Sequence, residues 1–104
     1  MWLLEERTLK AFWKLHAPAK APLVAWLKEV EQARWQSTAD IRARYRSADF
    51  VGDKVVFNIG GNKYRLVVRF KYADPSAKPP LNGIALVRFI GTHADYDKID
   101  VVSL

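Results

Sequence analysis

Eleven residues toward the end of the chain, Arg88 to Lys98, hold an arginine, a histidine, a tyrosine, two aspartates and a lysine. Those side-chain types match what cutting RNA without a metal requires. A base must take the proton of the 2′-hydroxyl, cations must hold the charge that builds at phosphorus, and an acid must protonate the leaving 5′-oxygen. His93 can serve as base or acid, because unperturbed imidazole titrates near neutrality. Tyr96 can donate a proton, or act as a base where a neighbouring Lys or Arg lowers its pKa. Arg65, Arg69 and Arg88 are candidates to clamp the phosphate. The competing reading of His93 is an ordinary loop or helix-cap histidine.

Charge points to an earlier part of the chain, which holds Arg65 and Arg69. The formal net charge is +6, and the segment from Arg34 to Lys71 carries all of it, with nine bases against three acids. Clustered cations focus a field suited to a polyanion, whereas scattered ones only solubilise. Within that segment Tyr64, Leu66, Val68, Phe70 and Tyr72 alternate with Lys63, Arg65, Val67, Arg69 and Lys71. In a strand this puts a core on one face and a cationic ladder on the other. Like charges at every second position repel, so an anion-binding face is favoured over a merely solvated one. Arg42, Arg44 and Arg46, on the outer side of a short helix, and Lys98 in the polar tail are further RNA-binding candidates.

The elements that would position these residues follow from periodicity. Leu9, Phe12, Trp13 and His16 share one helical face, and Ala17-Pro18 stops that helix. Pro22 suits a first helical turn, after which Leu23, Trp26, Leu27 and Val30 repeat the spacing. Ser37 and Asp40 resemble a capping box for a third, short helix with Ile41 and Tyr45 inward. From Lys54 the period becomes two, and Gly60-Gly61-Asn62 supplies the positive φ angles of a tight hairpin. A strand over Ile84–Ile90 holds Arg88 in an apolar run, where a guanidinium must find a carboxylate, a carbonyl or a phosphate. The proline-bearing stretch Ala73 to Gly83 reads as a long connection.

Several functions are excluded or disfavoured. With no cysteine there is no disulfide, thiolate zinc site or Cys nucleophile. His93 and Asp97 have the i, i+4 spacing of a metal pair, but no second histidine lies near and such a pair is usually structural. No cofactor is expected. Gly60-Gly61-Asn62-Lys63 lacks the helix context of a phosphate loop. Trp13, Trp26 and Trp35 read as core rather than as a base-stacking platform. At 104 residues with half of them hydrophobic, residues 1–104 read as a single domain. No apolar run approaches the length of a membrane span, and no leader is visible, so a cytoplasmic protein is expected.

The stretch VVFNIGGNKYRLVVRF followed by LVRFIGTHADYDKID resembles the HigB type of type II toxin, a relative of the RelE-like mRNA interferases. The upstream WQSTADIRARYRSADFVG adds to the likeness, which extends from the first helix to about Asp100. The resemblance implies an α+β domain with N-terminal helices packed on one face of a mostly antiparallel, twisted sheet and an RNA-cleaving groove on the other. It implies mRNA as substrate, commonly cut on the translating ribosome, and a helix-turn-helix antitoxin of the HigA type that represses the shared operon. The family pattern falls on Asn62 and Arg65 of the hairpin and on Arg88, His93, Tyr96 and Asp97 of the tail. The long Ala73 to Gly83 connection departs from it. Two rivals use the same charge: a nonenzymatic RNA- or ribosome-binding module, in which His93 and Tyr96 are buried or turned away from the basic face, and a subunit whose cations only recruit an acidic protein.

Overall fold

Alternation at period two makes Lys54–Ile59 and Tyr64–Lys71 the two strands on which the rest is assembled. In the computed structural model, which describes residues 1–104, these are β3 and β4, paired antiparallel from Ile59 with Tyr64 to Lys54 with Arg69. Strand β5 (Ile84–Thr92) runs antiparallel along the other side of β4. Two short strands complete a mixed sheet of order β1-β5-β4-β3-β2. Here β1 is Trp2–Leu4, parallel to the start of β5, and β2 is Asp49–Val51, antiparallel to β3. Neither short strand is legible from periodicity, because three residues carry no pattern of their own and pair only once a neighbour exists.

Three helices, α1 (Arg7–Leu15), α2 (Lys20–Gln32) and α3 (Thr38–Arg44), cover one face of the sheet. The apolar spacing read from the sequence is the buried stripe: Leu9, Leu23, Trp26, Leu27, Val30 and Ile41 meet Val55, Phe57, Leu66, Val68 and Phe70. Phe57 is the aromatic centre of that layer, with Trp26, Tyr45 and Phe70 edge-on to it at ring distances of 5.5, 5.1 and 6.1 Å. Such edge-to-face geometry suits ring quadrupoles and adds to the area term. Trp35 is buried too, but from the connection between α2 and α3 rather than from a helix. The capping box forms only in part. Ser37 is the N-cap yet its hydroxyl makes no capping bond, and Asp40 accepts from the Gln36 amide at 2.9 Å.

The opposite face is also covered, which the alternation of β4 alone does not reveal. After β5 the chain enters a short helix, α4 (His93–Tyr96), and a 3-10 turn at Val101–Ser103. Val101, with Tyr96, Ile99 and Leu104 beside it, packs on Val56 and Val67. Val67, expected on the open face, is therefore fully buried, and the cationic ladder is interrupted at its middle.

Trp26 has 1% of its surface exposed at the centre of the helix–sheet layer. Trp26→Ala should destabilise the fold by roughly 3–5 kcal/mol, the usual cost of deleting a buried aromatic. Urea unfolding measures it, and a loss under about 1 kcal/mol would show that the layer collapses to fill the space.

Candidate nucleic-acid interface

Arg88 sits at an irregularity in the sheet. Val67 pairs with Phe89 and Val68 with Val87, which leaves Arg88 as the extra residue of a bulge in β5. Phe89 packs toward Val56 and Val67, while Arg88 is exposed. The expected burial of a guanidinium inside an apolar strand is thus corrected: an extra residue turns it to solvent, so it needs no buried counter-ion.

One end of the ladder and the polar tail are brought together by backbone bonds. The turn over residues 60–63 has Gly60 and Gly61 at φ of 61° and 70°, a region that glycine enters without penalty. It is a four-residue loop that closes the hairpin expected here, and it presents Asn62 and Lys63 to solvent. Arg65 Nη1 donates to the carbonyls of Asn62 and Tyr64 at 3.1 and 3.2 Å. Opposite Arg65 on β5 is Gly91. A Cβ there would stand 2.6 Å from the Phe89 ring and 3.1 Å from Asp95 Cβ, so the close approach of α4 needs glycine. Thr92 and Asp95 then form a reciprocal capping box, a signal present in the sequence but not read there. The His93 amide donates to the Lys63 carbonyl at 3.2 Å, fixing α4 to the hairpin turn.

On that turn His93 Nδ1 lies 3.2 Å from Asp97 Oδ2, with both side chains more than half exposed. Tyr96 is half-buried against the Val56–Val67 cluster, on the same face of the sheet as Arg65. Lys98 is exposed just beyond. His93, Asp97 and Arg65 therefore gather at one end of β4, with Tyr96 between them and the covered middle. No group of three or more His, Asp or Glu comes together in the way that a metal ion would need.

Past the covered middle, the ladder becomes an ion network. Lys54, only 4% exposed, donates from Nζ to Asp53 Oδ1 at 2.9 Å and to the Val102 carbonyl at 3.2 Å. Arg69 reaches Asp53 Oδ2 at 2.9 Å. The hydrogen bond from Lys54, helped by the charges of Lys54 and Arg69, holds the Asp53 carboxyl below its ordinary 3.8. Lys71 continues the face beyond Arg69 and is exposed without an ion pair. Sequence reasoning passed over Lys54, which opens β3 and is covered by a segment almost fifty residues further along the chain.

Arg42 and Arg44 do not join this face. Arg44 is ion-paired with Glu29 of α2, and Arg42 lies 4.8 Å over the ring of Phe50, which packs on the helical core. Arg46 is exposed in the connection from α3 to β2. Arg42 and Arg44 stand apart from the ladder, because α3 lies on the helical side of the sheet. Burial and the adjacent Glu29 carboxylate also push the Tyr45 hydroxyl well above its usual pKa, so this tyrosine is a structural donor to Glu29 at 3.1 Å.

The Asp53 network has a definite pH signature. A carboxyl whose folded pKa lies below its unfolded value contributes stability above the unfolded value, and that contribution disappears as pH falls through the folded one. Asp53→Asn should therefore be less stable than the parent at neutral pH and show a shallower acid limb below about pH 4. Urea midpoints across this range measure the effect, and parallel curves would mean that the network contributes nothing.

No helix is long and apolar enough to cross a membrane. No curated protein matches the chain. A family model described as HigB_toxin, the RelE-like toxic component of a toxin-antitoxin system, matches residues 19–99, from the start of α2 through α4 and on to Ile99. The match begins after α1, later than the first-helix start read from the sequence, although α1 packs in the same layer. With most of its length matched and an α+β fold of helices on a five-stranded mixed sheet, this chain belongs to the HigB family of RelE-like toxins, whose partner is an antitoxin.

Proposed function

We propose that this toxin is a metal-independent endoribonuclease that cuts mRNA on the translating ribosome, works as one domain in the cytoplasm, and is held in check by a helix-turn-helix antitoxin of the HigA type. The observation that carries the reading is the exposed His93 imidazole, held through Nδ1 by Asp97 on a turn bonded to the hairpin that bears Arg65. With Nδ1 engaged by Asp97, Nε2 is the nitrogen free to move a proton. The 2′-hydroxyl attacks phosphorus, the 5′-oxygen leaves, and His93 and Tyr96 divide the two proton transfers. Arg65 and Arg88 stabilise the charge on the phosphorane. Asn62, Lys63, Arg69, Lys71 and Lys98 hold the flanking strand.

His93→Gln should lower RNA cleavage by about 10²–10⁴-fold, the usual contribution of general acid–base catalysis, while RNA and antitoxin binding persist. Tyr96→Phe should do the same if its hydroxyl transfers a proton. Cleavage should survive EDTA and leave a 2′,3′-cyclic phosphate. Full activity in both variants, or activity lost to EDTA and restored by a divalent ion, would overturn the mechanism.

Replacing Arg65 and Arg69 together with Ala should weaken RNA binding and flatten its salt dependence, because each lost phosphate contact releases fewer counterions. Unchanged binding isotherms at two salt concentrations would remove the ladder from the interface. RNA binding without any cleavage by the parent chain would favour the nonenzymatic module.

A further inference from the structure

The connection from Ala73 to Gly83, which departs from the family pattern, forms one wall of a cavity of about 600 Å³. This lies where β4 ends and β1 and β5 begin, at the end of the ladder away from His93. Its wall is ordered. Asp74 and Leu81 exchange two backbone bonds of 2.9 Å, and the Ala73 amide donates to the Trp35 carbonyl at 2.8 Å. Gly83, at φ +85°, is so close to Met1, Lys71 and Ala73 that any Cβ would stand within 2.9 Å of them. A volume of this size suits a small ligand or one unit of a polymer.

The lining has a particular chemistry. Trp2 is 71% exposed, in a three-residue edge strand whose burial needs no indole. Trp2 pairs with Ile84, and Ile84 with Lys71, so the indole and the last cation of the ladder share one face, two strands apart. Arg34 lines the cavity as well, and neither it nor Lys71 has a carboxylate within 4.0 Å, although Glu31 lines the same space. Gln32 and Asn82 add amides able to donate to and accept from a base edge. An exposed indole beside unpaired cations and two amides is the set that single-stranded nucleic acid uses, with bases stacking on aromatic faces and phosphates on the basic groove.

The geometry points to a nucleotide-binding subsite of the RNA substrate in this cavity, with a base on Trp2 and its phosphate on Lys71 and Arg34, several nucleotides from the bond to be cut. The inference rests on the ribonuclease reading and adds a remote contact to it. From Arg65 to Lys71, β4 spans about 20 Å at 3.3 Å per residue. An RNA strand that passes from the His93 end over the segment covering Val67 meets Arg69, Lys71 and then the cavity. Substrates too short to reach it lose that contact, and preference among bases is exercised there as well as at the scissile bond.

The test uses the full chain and a labelled single-stranded RNA carrying 2′-O-methyl groups throughout, which binds but lacks the attacking hydroxyl. Trp2→Ala should weaken binding about 5- to 100-fold, the range that base–aromatic stacking supplies, and Trp2→Phe should recover most of it. Lys71→Ala should reduce the slope of log affinity against log salt by about 0.7, one phosphate contact to a single strand. Since Trp2 is exposed, melting temperatures should stay at the parent value. A parent chain that binds and cleaves RNA, together with Trp2→Ala and Lys71→Ala variants that bind equally well, overturns the subsite and leaves the ribonuclease reading standing. Loss of antitoxin binding in Trp2→Ala with RNA affinity intact assigns the cavity to a protein partner instead. A parent chain with no affinity for RNA removes both proposals.

Discussion

Burial of β3 and β4 on both faces is the constraint on which the rest of the molecule depends. Three helices satisfy the face that carries Phe57, Leu66 and Val68, but Val56 and Val67 point the other way and are just as apolar. Each fully buried valine is worth on the order of 1.5–3 kcal/mol relative to exposure. The segment after β5 supplies the missing cover, with Val101 at its centre. Because that cover is continuous with α4, burying two valines is also what lays His93, Tyr96 and Asp97 across the cationic face. Packing and candidate chemistry are therefore joined in one stretch of chain.

That arrangement asks three things of the backbone. The bulge at Arg88 lets β5 supply Phe89 to the second cluster while keeping a guanidinium in water. Gly91 leaves room for Asp95, so that α4 can begin immediately at the strand end. Lys54, which the C-terminal segment covers, finds partners in Asp53 and the Val102 carbonyl. A buried ammonium stripped of those partners would be costly, so the ion network and the cover hold each other in place.

Much of this was legible in the sequence, and the exceptions share a cause. The helical stripes, the breaks at Pro18 and beyond Ile59, and the period of β4 are local patterns of several residues, and each is found in the structure where its spacing puts it. That Arg65, His93 and Asp97 belong together was implied by the family resemblance, whereas the bonds that hold α4 to the hairpin turn, His93 to Lys63 and Thr92 to Asp95, were not read from the sequence. What was not legible depends on residues far apart in the chain. The pairing of β1 with β5, the second cover over Val67, the separation of Arg42 and Arg44 from the ladder, and the bulge all come from partners that no short window contains.

Strand β1 illustrates how such distant pairing shapes the molecule in time. Its three residues pair with a strand more than eighty positions further on, while the Met1 amino group donates to the carbonyls of Val30, Glu31 and Ala33 at the end of α2. Closing so long a loop carries the largest entropy cost of any pairing in the sheet, and few contacts repay it. The edge is therefore expected to assemble after the hairpin and to open before it, so that within the sheet amide exchange should be faster at Trp2–Leu4 than in β3 and β4. When it opens, the last turn of α2 loses its terminal hydrogen-bond donor at the same moment, so helix fraying and loss of the sheet edge are one event.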